Sequence, residues 1–211
     1  MPPPGRTRKL RRGPLTRKQI LDAALALFSD KGFTRTSVRD IARAAGITDA
    51  AIYYHFASKR ELFEALIEER GFTTALENLE RAEITIGPRE AIPLVALNSL
   101  SFIFQNRDLM KMLLVEAVAQ DAVATEEYRI LVERWERAIA RILRFYAERG
   151  QLETEDVDEL ATQLVITVLG AFSDYLMSPH PASNGAVPYQ LHHNVEVAMR
   201  NIVQGIVAPG A

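Results

Sequence analysis

The 211-residue sequence has no cysteine, which excludes both disulfides and a thiolate metal site. Histidine is scarce, with His55, His180, His192 and His193 the only four. His192 and His193 are adjacent, so they project from different faces of a helix and do not easily share one ion, and no metal site is expected. Neither a nucleophile elbow nor a glycine-rich phosphate loop is present, and no catalytic residue or cofactor is expected. The carboxylates Glu153, Glu155, Asp156, Asp158 and Glu159 read as a charge run at a helix start rather than as a paired acid and base. No stretch reaches 18 uninterrupted apolar residues, so no membrane span is expected. The first residues, MPPPGRTRKLRRGPL, lack an apolar core and do not read as a secretory signal, which makes the cytoplasm the expected compartment. No period-two alternation of apolar residues appears anywhere, so the fold class is expected to be all-α. Lysine is sparse beside arginine (5 against 20), which hints at a GC-rich or heat-adapted source.

An apolar content of 48% and a charged content of 25% are present, as in an ordinary globular protein large enough for a small domain plus a bigger one. The net charge of −2 hides an asymmetry. Residues 1–60 carry 13 Lys and Arg against 4 Asp and Glu, whereas residues 61–211 carry 12 against 23. A basic head on an acidic body points to a polyanion at one end only. Arg6, Arg8, Lys9, Arg11, Arg12, Arg17 and Lys18 cluster with no acidic neighbour among them. Residues 1–14 read as a disordered basic arm that can lie along phosphates or enter a minor groove.

Residues 37–61, SVRDIARAAGITDAAIYYHFASKRE, carry the most information. Ser37 and Asp40 have capping-box spacing, and Ile41, Ala42 and Ala45 give one apolar face. Gly46 stands where a positive φ ends a helix at little cost. Thr48 is a good N-cap for a second helix, whose Ile52 and Phe56 return to the inner side. The outward residues Thr48, Asp49, Ala50, Tyr53, Tyr54 and His55 are polar, small or aromatic with a polar tip. This is the pattern of a helix-turn-helix that places its second helix in a major groove. Ser37, Val38 and Arg39 are expected at the backbone or an adjacent base. Tyr53, Tyr54, His55 and Lys59 are expected on phosphates, and Thr48, Asp49 and Ala50 at base edges.

The stretch from Thr16 to Glu69, TRKQILDAALALFSDKGFTRTSVRDIARAAGITDAAIYYHFASKRELFEALIEE, resembles the DNA-binding domain of the TetR family of bacterial transcriptional regulators without a gap. The resemblance is carried by Ala26-Leu27-Phe28, Lys31-Gly32-Phe33, Thr36-Ser37-Val38, Ile41-Ala42, Ala45-Gly46-Ile47, Ile52-Tyr53-Tyr54-His55-Phe56 and Ser58-Lys59. It supports the contact roles given above. It implies an N-terminal three-helix DNA-binding domain over residues 15–62 and a larger helical domain over 63–211 that binds a ligand and dimerises. It further implies a dimer interface built from the last two helices of each subunit, a palindromic operator on double-stranded DNA, and an unidentified small-molecule effector that releases a repressor. A helical binding protein or enzyme that does not act on DNA is a second reading, and a membrane-surface protein using the basic arm a third.

About nine helices are expected. The first runs from Thr16 to Lys31, opened by Thr16 and Gln19. The fourth opens at Ser58 and Glu61 and is expected to continue past Gly71 toward Arg81, joining the two domains. Beyond it, helices are expected from Pro88 to Phe104 (delayed or kinked by Pro93), Asn106 to Gln120, Thr125 to Arg149, Asp156 to Met177 and Tyr189 to Val207, with a loop over Ser178–Pro188. The run LVITVLGAF needs partners on more than one side, which a second copy would supply. Phe104, Met112, Trp135, Phe145, Phe172 and Tyr175 are the candidate lining of a ligand pocket, with Phe102, Met110 and Tyr146 as further possibilities.

Overall fold

The computed structural model describes residues 14–154, 156–178 and 186–208, the first three of them by backbone alone. The arm expected over residues 1–14 lies outside the described residues except for Pro14, as do Glu155, His180 and most of the Ser178–Pro188 loop. The chain forms two compact units that divide between Leu66 and Ile67. Ten α-helices are present among the described residues, one more than expected.

The smaller unit holds α1 (Pro14–Lys31), α2 (Val38–Ala45), α3 (Asp49–His55) and most of α4 (Lys59–Glu69). α1 begins two residues before the expected Thr16, with a proline at its first position, where the missing N–H costs nothing. Gly32 closes α1 by donating its N–H to Phe28 O at 2.9 Å. α2, α3 and α4 each start on a hydroxyl. Ser37 Oγ accepts from Asp40 N at 3.1 Å, Thr48 Oγ1 from Ala51 N at 3.3 Å and Ser58 Oγ from Glu61 N at 3.0 Å. Such caps satisfy backbone donors the first turn would otherwise leave bare, and each contributes about 1 kcal/mol. At α2 the box closes reciprocally, with Ser37 N donating to Asp40 Oδ2 at 3.2 Å. At α4 the reciprocal acceptor slips by one residue, and Glu61 takes the N–H of Ala57. Gly46 ends α2 at φ 68°, a left-handed conformation that a side chain would resist.

The core of this unit is a triangle of Phe28, Phe33 and Phe63, whose ring centroids lie 4.9–6.0 Å apart. Ile20, Leu21, Ile41, Ile52, Phe56 and Leu62 are buried around it. Truncating Phe63 to Ala would cost about 3–5 kcal/mol, because a small core cannot collapse into the space left.

The larger unit holds α5 (Phe72–Arg81), α6 (Pro88–Gln105), α7 (Arg107–Val118), α8 (Ala122–Ala147), α9 (Val157–Met177) and α10 (Tyr189–Ile206). The expectation of one helix through residue 81 fails at Gly71, whose φ of 78° is left-handed, so α4 stops at Glu69 and α5 starts afresh. Pro93 does not delay α6, which begins at Pro88. α8 starts on Asp121 rather than Thr125, because the Asp121 carboxylate accepts from both Val123 N and Ala124 N. α9 packs against α6, α8 and α10. By length and composition alone α9 could cross a membrane, but Leu164, Val165, Val168 and Phe172 are buried inside this unit.

One backbone pairing closes the unit. Leu152, between α8 and α9, bridges antiparallel to Val207, after α10. Glu153 N donates to Ile206 O at 2.6 Å and Ala208 N to Gln151 O at 3.1 Å.

Candidate nucleic-acid interface

α3 is buried on one side and open on the other. Ile52 and Phe56 fix it to the core, while Tyr53 is 55% and Tyr54 85% exposed. Leaving two large aromatic rings in water is unfavourable unless something covers them. Tyr54 meets the His55 ring edge-on at 5.2 Å, which gives this end of the helix a flat aromatic surface with polar tips. Thr48 and Ala50 are exposed and Asp49 partly so.

α2 contributes Arg39, which reaches Asp49 across the turn, Nε to Oδ2 at 3.4 Å. Both groups are solvated, so the pair adds little to stability, but it keeps a guanidinium beside the first residue of α3. Ser37 is exposed and committed to its cap, donating its hydroxyl proton to Asp40 Oδ2 at 2.6 Å. Those Ser37 bonds hold the Asp40 carboxyl below its ordinary range. Val38, half-buried, opens α2. Thus Ser37, Arg39, Thr48, Asp49, Ala50, Tyr53, Tyr54 and His55 come together around α3 and the turn before it.

Lys59 does not join them as expected. Its ammonium turns inward, donating to Phe33 O at 2.8 Å and Thr36 O at 3.1 Å, with Thr34 O at 3.5 Å, and stands 4.2 Å from the Phe33 ring centre. An ammonium has three protons, and three carbonyls of the α1–α2 connection face it. Carbonyls outside a helix ladder need donors, and Lys59 supplies them. Thr36, fully buried, braces the same connection by donating to Gly32 O at 2.8 Å.

The larger unit encloses a cavity of about 420 Å³ between α5, α6 and α8, open at one side. Trp135 lines it, together with Phe72, Phe102, Met110, Tyr128 and Tyr146. The other expected lining residues lie elsewhere. Phe104, Met112 and Phe172 are packed in the core, Tyr175 lies against Phe104 at 5.1 Å, and Phe145 is covered by the Arg149 guanidinium at 3.6 Å. What was missed is the α5 face and the connection 82–87, whose Glu83, Ile84 and Ile86 close one side. The signals were Gly71 and the Gly87-Pro88 pair, which bracket a short helix and a strap rather than one long helix.

The strap is clasped to α8 at both ends. Arg141 donates to Leu79 O at 3.1 Å and Ala82 O at 3.0 Å, and Tyr146 Oη donates to Ile86 O at 2.7 Å. Burial raises the Tyr146 phenol above its usual pKa, so it remains a donor. Tyr128 is raised as well, by burial first and by Glu136 second.

Residues 20–66 match the family profile described as bacterial regulatory proteins, tetR family. The chain is 53% identical over 53 residues to the HTH-type transcriptional regulator AcrR of Shigella flexneri, a match that covers a quarter of each protein. It is 30% identical over 173 residues to the HTH-type transcriptional regulator TtgR of Pseudomonas putida, covering 78% of this chain and 81% of that one. Among solved structures it is similar to SmeT in complex with triclosan, with a TM-score of 0.76, 28% identity and 93% of each chain covered; SmeT is the repressor of a multidrug efflux pump of Stenotrophomonas maltophilia. A capped helix-turn-helix with an open aromatic reading face, joined in one chain to a hollow helical unit, agrees with these likenesses along most of its length, and the chain belongs to the TetR family of bacterial transcriptional regulators.

Proposed function

We propose that this chain is a homodimeric repressor that leaves a two-fold operator when a small molecule fills the cavity of its larger unit. The observation that carries the DNA-binding half of this reading is the exposure of Tyr53 and Tyr54 on a helix whose opposite side is locked into the core. Each subunit places α3 in a major groove. The phenols and His55 hold phosphates, Arg39 reaches the backbone or a neighbouring base, and Thr48, Asp49 and Ala50 face base edges. Two copies read half-sites about 34 Å apart, or a near multiple.

A second copy is supported by α9, where Ile166 (60% exposed) and Met177 share an outer side with the open Gly170. Apolar residues so placed gain by facing another subunit. Release follows from population shift: a ligand preferring a form with misplaced reading heads weakens operator binding by its differential affinity, typically 1–3 kcal/mol. The reading assigns the chain no catalytic role, in keeping with its regulator relatives.

Selection of bound duplexes from random DNA tests the proposal directly. Recovery of a palindrome, bound with a steep log–log salt dependence, is the expected result. Equal binding to all duplexes, or binding by a monomer to a single half-site, would defeat it.

A further inference from the structure

The wall of the cavity is largely apolar; Ser99, Tyr128 and Tyr146 bring hydroxyls to it, and Asn78, Glu83 and Asn98 are exposed at its mouth. Among the described residues, Glu83 is the one charged residue on that wall, and no Lys, Arg or His lines it. The two guanidiniums that back α5 and the strap are committed. Arg134 pairs with Glu80 at 3.2 Å, and Arg141 gives its Nη2 to Leu79 O and Ala82 O. Arg141 Nε is shut off from solvent without a partner, but Arg141 is not part of the wall.

We infer that the cavity takes an amphipathic organic cation, its apolar body inside and its ammonium at the mouth beside Glu83. The inference rests on reading the cavity as the effector site and adds the class of effector. An anionic headgroup would lose water at this mouth and meet a like charge with no cation to receive it. An ammonium meets the Glu83 carboxylate, and Tyr128 and Trp135 on the wall offer aromatic rings, to which cations are attracted. A neutral headgroup gains neither. Ligands sharing one tail bury the same apolar area, so differences among them isolate the headgroup.

The protein carries its own reporter. Trp135 is the single tryptophan of the sequence, and it lies on the cavity wall. Decylamine, decanol and decanoate are titrated at pH 7, below their aggregation limits, while Trp135 emission and binding heat are followed. Decylamine is expected to bind roughly three- to tenfold more tightly than decanol, the range of a solvated ion pair with some cation–π help, and decanoate least. Glu83→Gln should erase the preference for amine over alcohol. Decanoate binding as tightly as decylamine, an amine preference that survives Glu83→Gln, or no binding of any of the three would each overturn the inference. Operator release is measured in the same samples. Amine-selective binding that leaves the operator complex intact upholds the cation site and removes the effector role. Release by decanol and decanoate as readily as by decylamine does the reverse.

Discussion

Replacing Lys59 by Met separates a structural from a DNA-contacting role. The substitution keeps the aliphatic stem and removes the ammonium. Two hydrogen bonds, to Phe33 O at 2.8 Å and Thr36 O at 3.1 Å, are lost outright. The third contact, to Thr34 O at 3.5 Å, is at the limit of a hydrogen bond and adds little. Hydrogen bonds to charged groups contribute about 1.5–3 kcal/mol net. Lys59 is half-buried, so water recovers part of that loss, and about 2 kcal/mol is expected. In a chain of this size that lowers Tm by roughly 4–8 °C, read by circular dichroism at 222 nm. Operator affinity falls because the α1–α2 connection loosens, but the slope of log K against log salt stays the same. A phosphate contact would act in the opposite way, leaving Tm unchanged and lowering the slope by about 1.8, about 0.9 for each of the two Lys59 side chains in the dimer. That second outcome would refute the inward assignment of Lys59.

Tyr54→Phe touches only an exposed hydroxyl; it should leave Tm unchanged and weaken operator binding by electrophoretic shift, by about tenfold or more for each of the two subunits, the value of a hydrogen bond to a charged phosphate. Asp49→Ala removes a solvated pair with Arg39; it should alter stability by less than about 0.5 kcal/mol and change the selected DNA at one position in each half-site. Ile166→Glu puts a charge on the outer side of α9 and should give a monomer in sedimentation. Tyr146→Phe deletes the bond to Ile86 O, costs about 1 kcal/mol, and should make Trp135 easier for iodide to quench. The pH dependence follows from the raised Tyr146 pKa. Its stabilising effect is complete below the unfolded value near 10 and is lost as pH rises through the higher folded value. Urea midpoints of the parent protein should therefore drop between pH 9 and pH 11, and less so in the Phe variant.

The reading head was legible because its signals are local. Ser37, Thr48 and Ser58 each announce a helix start within three residues, and Gly46 announces a stop. The cavity was not legible, because it depends on where distant segments meet. Phe104, Met112 and Phe172 look in sequence like Trp135, yet only Trp135 faces the hollow, a matter of helix rotation that periodicity alone does not fix. Gly71 was read through because Phe72 and Leu76 continue the helical spacing on its far side, so spacing hid a break that backbone conformation reveals. Lys59 differs again: its inward hydrogen bonds have no sequence signal. A cation next to a reading helix suggests phosphate, and only three-dimensional structure shows the carbonyls that hold it.

The antiparallel contact between Leu152 and Val207 also bears on how the molecule can be held. A tether attached beyond Ala208 would transmit load first to the Gln151 and Glu153 backbone and only then to α10. Those two bonds, and not the joint between α8 and α9, are then the first contacts that a pull on that end strains. Surface-immobilised or force-probe measurements made through that end need a long slack spacer, or they will record the peeling of this seam.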